Sequence, residues 1–154
     1  MRLFIMRHGR AGTAPADNER RLSAEGRGDV GRVARRLAGL GERLDAILCS
    51  PLARARETAE IMAVEMGSSP VMVEQGLASG ASVDAIAGII RERAAYQALM
   101  IVGHNPEFGD LAGRLAGKSG PLELAAGQVV CLDLPLETEG GKSGMLYSVS
   151  PEDP

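Results

Sequence analysis

Three short apolar runs, Leu3-Phe4-Ile5-Met6, Leu44-Asp45-Ala46-Ile47-Leu48 and Ala98-Leu99-Met100-Ile101, each give way within a residue or two to a polar segment that can carry chemistry. Runs of this length bounded by polar loops predict buried strands. The segments that follow them are Arg7-His8-Gly9, Cys49-Ser50-Pro51-Leu52-Ala53-Arg54 and Val102-Gly103-His104-Asn105-Pro106. The chain's two histidines thus both stand just past a predicted strand, where open α/β sheets place their ligands. Histidine and arginine converging at three strand ends imply that the ligand is an oxyanion.

Between the strands the periodicity changes to that of helices, and the alternation predicts an α/β fold with a mainly parallel sheet. After a polar loop over 9–22, Ser23 can cap a helix running to about Leu40, with Val30, Val33, Ala34, Leu37 and Ala38 on one face. A second strand is expected at 44–49. Ser50 reads as the cap of a helix through about Met66, with Pro51 at its first position. A short strand at 71–74, a helix capped by Ser82 and reaching about Ala95, a strand at 98–102 and a helix from Glu107 to Ala116 follow. Gln128 to Leu134 and Met145 to Val149 then predict an antiparallel hairpin on the sheet edge, joined by the Gly/Glu-rich stretch Glu137 to Gly144, to which the sequence assigns no role.

With 154 residues the chain fits one domain, 1–154, with a single core. No apolar stretch approaches the ~20 residues of a membrane span, and no secretory leader is evident. A cytoplasmic, monomeric protein without a membrane partner is the expectation. Residues 1–56 carry 12 arginines against 6 acidic side chains, whereas the remainder carries 5 basic and 14 acidic ones. Arginine suits bidentate capture of phosphate better than lysine. Nucleic acid is an unsuitable partner, because two tyrosines, two phenylalanines and no tryptophan leave little to stack on bases. Two cysteines and two histidines furnish neither a disulfide framework nor a closed zinc site, so no metal or cofactor is expected.

Two motifs mislead. Gly26-Arg27-Gly28-Asp29-Val30-Gly31 has dinucleotide-loop spacing but no strand before it, so these glycines belong to a helix, where close packing can justify them. Cys49 precedes Arg54 by four intervening residues and Arg56 by six, whereas a cysteine-phosphatase loop requires five. Both cysteines therefore read as core thiols.

Taken as chemistry, the remaining constellation suits phosphoryl transfer. A neutral imidazole is a competent nucleophile for phosphorus, and the reaction otherwise needs mostly charge stabilisation by arginine forks and helix N-termini. Arg7 and Arg54 are the candidates for the phosphoryl oxygens, His104 for a further donor, and Ser50 for a helix-start contact. Asn105 could orient a loop or touch a ligand, and Thr58, four residues after Arg54, more readily packs locally.

Arg7-His8-Gly9, Ser50-Pro51 with Arg54 and Thr58, Gly103-His104-Asn105-Pro106 and the segment Arg20-Arg21-Leu22-Ser23-Ala24-Glu25-Gly26 together resemble the histidine phosphatase (phosphoglycerate mutase-like) superfamily. Its short branch of SixA-type phosphohistidine phosphatases, near this length and without an inserted cap domain, is the more similar. The resemblance extends to about Ala116. It implies a three-layer α/β/α fold with an antiparallel C-terminal edge, His8 as the phosphorylated nucleophile, Arg7, Arg54 and His104 as the phosphate pocket, and Arg20 at its rim. Arg21 stands where the family usually has proline, and Glu57 where it often has glutamine.

Larger members of the superfamily carry a carboxylic acid near the loop after the third strand, which makes Glu74 the possible acid here, although a surface role suits it equally. An imidazole leaving group, whose conjugate acid has a pKa of about 6.5, departs with little help, whereas an alkoxide needs a proton. The expectation is a phosphohistidine-bearing protein as substrate. The alternatives are a small-molecule phosphomonoesterase of the same superfamily and a non-catalytic phosphate-binding module.

Overall fold

Leu3, Phe4, Ile5 and Met6 are all completely buried, as are Leu99 to Val102, because the strands that carry them lie inside a sheet covered on both faces. The computed structural model describes residues 1–135 and 142–154. Among these, β1 (Arg2–Arg7), α1 (Ala24–Gly39), β2 (Ala46–Cys49), α2 (Ala53–Glu65), β3 (Val71–Val73), α3 (Val83–Arg91), β4 (Ala98–Gly103), α4 (Glu107–Leu115), β5 (Val129–Asp133) and β6 (Gly144–Val149) follow in order. Short 3-10 turns occupy Asp17–Glu19 and Gln75–Leu77.

The sheet order is β3-β2-β4-β1-β5-β6. The first four of these strands are mutually parallel, while β5 runs antiparallel to β1, and β6 antiparallel to β5. The predicted edge hairpin is therefore present, and most of its connecting stretch lies outside the described residues. The period-two alternation of strands sends neighbouring side chains to opposite faces. Phe4, Met6, Ile47, Cys49, Met100 and Val102 pack with Val30, Val33 and Leu37 of α1 and Ala59 and Met62 of α2. Leu3, Ile5, Leu48, Leu99 and Ile101 face the other way, onto Ile86 and Ile90 of α3 and Phe108 and Leu111 of α4. The result is the expected three-layer α/β/α arrangement.

Strands β1 and β4 are neighbours in register from Arg2 opposite Ala98 to Arg7 opposite Gly103. The chain leaves β1 for α1 on one face and leaves β4 for α4 on the other. Connections that diverge in this way open a crevice at the carboxyl ends of the two strands. His8 and His104 are the residues that come next.

Ser23 and Ser82 cap their helices as predicted, their side chains accepting from the N–H groups of Gly26 and Ala85. The prediction for Ser50 needs correction. Helix α2 starts at Ala53 with Leu52 at the cap position and no side-chain cap, because Ser50 and Pro51 form a turn in which the Leu52 N–H donates to Ser50 Oγ at 3.2 Å. Helix α3 also ends earlier than expected, at Arg91, since Arg93, Ala94 and Tyr96 each bond three residues back in a tightening turn.

Of the glycines in α1, Gly26 is explained by close packing. A Cβ there would lie 2.1 Å from the Arg10 carbonyl oxygen, so this helix start presses directly on the loop leaving His8. At Gly28 an added Cβ would meet only the mobile end of Arg32, at 3.6 Å, and packing makes no demand for glycine.

Candidate active site

Strand β1 delivers Arg7 and His8 to the crevice, and the loop beyond is held by α2. Thr58 Oγ1 accepts from the Gly9 N–H at 3.1 Å and donates to the Arg54 carbonyl at 2.8 Å, so Thr58 has the local structural role expected of it. His8 Nδ1 lies 2.7 Å from the Gly9 carbonyl. A carbonyl only accepts, so Nδ1 carries the proton and Nε2 keeps a lone pair. Arg54 Nε donates toward that Nε2 at 3.3 Å, a long bond that an incoming electrophile can replace.

Burial above all pushes the His8 pKa down to about 4, and the charges of His104, Arg54 and Arg7 act in the same direction, against the opposing Gly9 bond. The imidazole is neutral at physiological pH. His104, whose ring centroid lies 5.2 Å from that of His8, is likewise pushed to about 4 by burial and by Arg54. Its Nε2 is 2.7 Å from Ser50 Oγ.

Arg7 Nη1 donates to the Leu124 carbonyl at 3.0 Å, and Asn105 Nδ2 donates to the same carbonyl at 3.1 Å. Asn105 therefore orients the loop before β5. Arg7 Nε, His104 Nδ1 and Asn105 Oδ1 are buried with no hydrogen-bond partner among the described residues. Leaving a buried polar atom unmatched costs about 1–3 kcal/mol, and such atoms call for a specific reason. A ligand that accepts hydrogen bonds would satisfy the arginine donor at once.

Asp17 is the residue that sequence reasoning missed. Arg54, 5% exposed, donates through Nη1 to the Asp17 carbonyl at 2.8 Å and through Nη2 to its carboxylate at 3.2 Å. Arg20 donates to the other carboxylate oxygen at 3.2 Å and, through Nε, to the Gly12 carbonyl at 2.9 Å. Hydrogen bonding from Arg20, then the charge and bond of Arg54, hold the Asp17 carboxyl below its ordinary pKa. Nothing in the polar loop over 9–22 marks this aspartate, because its partner is 37 positions away in the chain.

Glu74 stands at the end of β3. One carboxylate oxygen accepts from the Gly76 N–H at 3.2 Å and the other from Arg93 at 3.1 Å. Its contacts are thus with the 3-10 turn and the segment after α3, and none is with His8, Arg7, Arg54 or His104. Cys49 is completely buried and its thiol is pushed up to about 11 by burial, which leaves it a core residue. Among the described residues, no three His, Cys, Asp or Glu side chains group closely enough to hold a metal ion, and no helix is long and apolar enough to cross a membrane.

The neutral histidines, His104 buried and His8 half-buried, are also expected to contribute to stability against acid. A folded-state pKa of about 4 against an unfolded value of about 6.5 means that the unfolded chain binds more protons between these limits, so stability falls as pH drops through that window. The urea midpoint is expected to be lower at pH 4.5 than at pH 7, with each histidine contributing roughly 2–3 kcal/mol. Loss of Asp17 ionisation acts in the same direction at lower pH. A double variant, His8→Gln with His104→Gln, should show a smaller acid loss. An undiminished loss would mean that the histidines are not the groups responsible.

The family model for the histidine phosphatase superfamily (branch 1) matches residues 3–104, and the chain belongs to that superfamily. An uncharacterized protein of Picosynechococcus sp. is 42% identical over 127 residues, spanning 78% of this chain and 76% of the relative. The fold is shared with the protein histidine phosphatase SixA solved with tungstate, at a TM-score of 0.88 and 24% identity, covering 98% of this chain and 97% of the other. It is also shared with the alpha-ribazole phosphatase from Shigella flexneri, at a TM-score of 0.76, 19% identity and coverage of 98% and 97%. A phosphoserine phosphatase from Entamoeba histolytica has a TM-score of 0.71 and 15% identity over 98% of each chain.

Proposed function

We propose that the protein is a phosphohistidine phosphatase that works through a phosphorylated His8, without metal or cofactor, in a single domain with no segment inserted over the pocket. The observation that carries this reading is the neutral His8 with its Nε2 lone pair beside Arg54. In the first step Nε2 attacks phosphorus, the new N–P bond forms, and the bond to the substrate ring breaks; that ring, protonated from solvent on its other nitrogen, leaves as a neutral imidazole. Water then attacks the phosphoenzyme, releasing inorganic phosphate and restoring His8. Arg7, Arg54 and His104 stabilise the phosphoryl oxygens in both steps. Arg20 serves the rim through Asp17.

The carboxylates support this choice of leaving group. Asp17 is held ionised by two arginines and is a poor proton donor, and Glu74 is engaged by Arg93 and the Gly76 N–H. A site so short of acid among the described residues favours an imidazole leaving group over an alkoxide. The test is phosphate release from a histidine-phosphorylated carrier protein and from a phosphoserine peptide, side by side, with no added metal. The proposal expects release from the carrier at least about 100-fold faster, the scale of general-acid catalysis that the ester would lack. The reverse preference would identify an esterase, and binding without turnover of either would identify a phosphate-recognition module.

A further inference from the structure

We propose that Ser50 is a positioning residue that fixes the tautomer of His104: its hydroxyl donates to Nε2, leaving Nδ1 as the N–H that meets the phosphoryl group. The inference rests on the reading of the pocket as an oxyanion site. Ser50 follows β2 and His104 follows β4, two strands paired side by side, and the Ser50 N–H is tied to the Val102 carbonyl at 3.0 Å. Both side chains are buried, at 0% and 3% exposure. The hydroxyl is thus placed by backbone structure rather than by a free rotor on the surface.

A neutral imidazole has one proton for two nitrogens. Were it on Nε2, Nδ1 would present a bare lone pair, buried and without a partner, to an anion. With the proton on Nδ1, Nε2 must accept, and the one group within reach among the described residues is Ser50 Oγ at 2.7 Å. That oxygen already accepts from the Leu52 N–H, and its own proton has no other acceptor among the described residues. Donation to His104 uses both capacities of the hydroxyl and orients a donor at the pocket. Ser50 therefore acts through His104 and does not itself touch the substrate, unlike the direct contact expected from sequence.

The experiment is a long-range 15N–1H correlation spectrum of the histidine-labelled full chain at neutral pH, with His8 assigned by its loss in His8→Gln. The expected result is a neutral His104 protonated at Nδ1, with Nε2 of acceptor type. In Ser50→Ala this preference is lost and phosphate release slows about 10- to 100-fold, below the 10²–10³ typical of removing an oxyanion donor outright. Ser50→Thr, which keeps the hydroxyl, restores both. A wild-type His104 protonated at Nε2 overturns the proposal, as does a Ser50→Ala variant with unchanged tautomer and rate. Should Ser50→Ala not fold, the wild-type spectrum decides. Because the spectrum requires no turnover, a protein inactive on phosphohistidine yet protonated at Nδ1 would refute the phosphatase reading and leave the Ser50 assignment standing.

Discussion

His8→Ala is expected to abolish turnover, with a loss of at least about 10⁴-fold, the scale seen when a covalent nucleophile is removed. The phosphoenzyme trapped from radiolabelled substrate by an alkaline detergent quench, which preserves the acid-labile N–P bond, should disappear with it. No neighbour can take over the attack. His104 has its Nε2 committed to Ser50, and Cys49 is buried with its thiol held protonated. The remaining donors of Arg7, Arg54 and His104 should still hold vanadate or tungstate, which titration calorimetry would detect. A folded His8→Ala variant that retained turnover would place the nucleophile elsewhere. One that lost anion binding altogether would show that the imidazole is part of the recognition site.

Arg54→Lys is expected to cost roughly 10²–10³ in kcat while the protein remains folded, because a point charge replaces a planar fork. The arginine makes three bonds in different directions, to His8 Nε2, to the Asp17 carbonyl and to the Asp17 carboxylate. An ammonium group can preserve the charge beside Asp17 but cannot satisfy that geometry. Its buried stem, held in α2 below Thr58, keeps most of its packing in lysine, so thermal unfolding should move little. Wild-type kcat in Arg54→Lys would mean that the fork belongs to the Asp17 loop alone and takes no part in phosphoryl transfer.

Much of the fold was legible because it follows from local pattern. The strands are continuous apolar runs since both their faces are covered, and Ser23 and Ser82 announce helix starts because a hydroxyl there satisfies an orphan N–H. Ser50 looked the same in sequence and behaved differently, since its oxygen accepts from the Leu52 N–H in a turn that precedes the helix. The early end of α3 was also illegible, because tightening into successive i to i−3 bonds leaves no mark comparable to a glycine or proline.

The sequence by itself determined which residues could supply the chemistry. His8, Arg7, Arg54 and His104 are recognisable because histidine and arginine just past apolar runs are scarce and local. Tertiary structure alone decided how they are held: the His8 proton on Nδ1, the Leu124 carbonyl shared by Arg7 and Asn105, the Asp17 carboxylate between Arg54 and Arg20, and the Ser50 hydroxyl against His104. The physical reason is range. Periodicity and capping act over a few residues, whereas most of these contacts join groups 19 to 117 positions apart, brought together by strand order and by the crevice between β1 and β4.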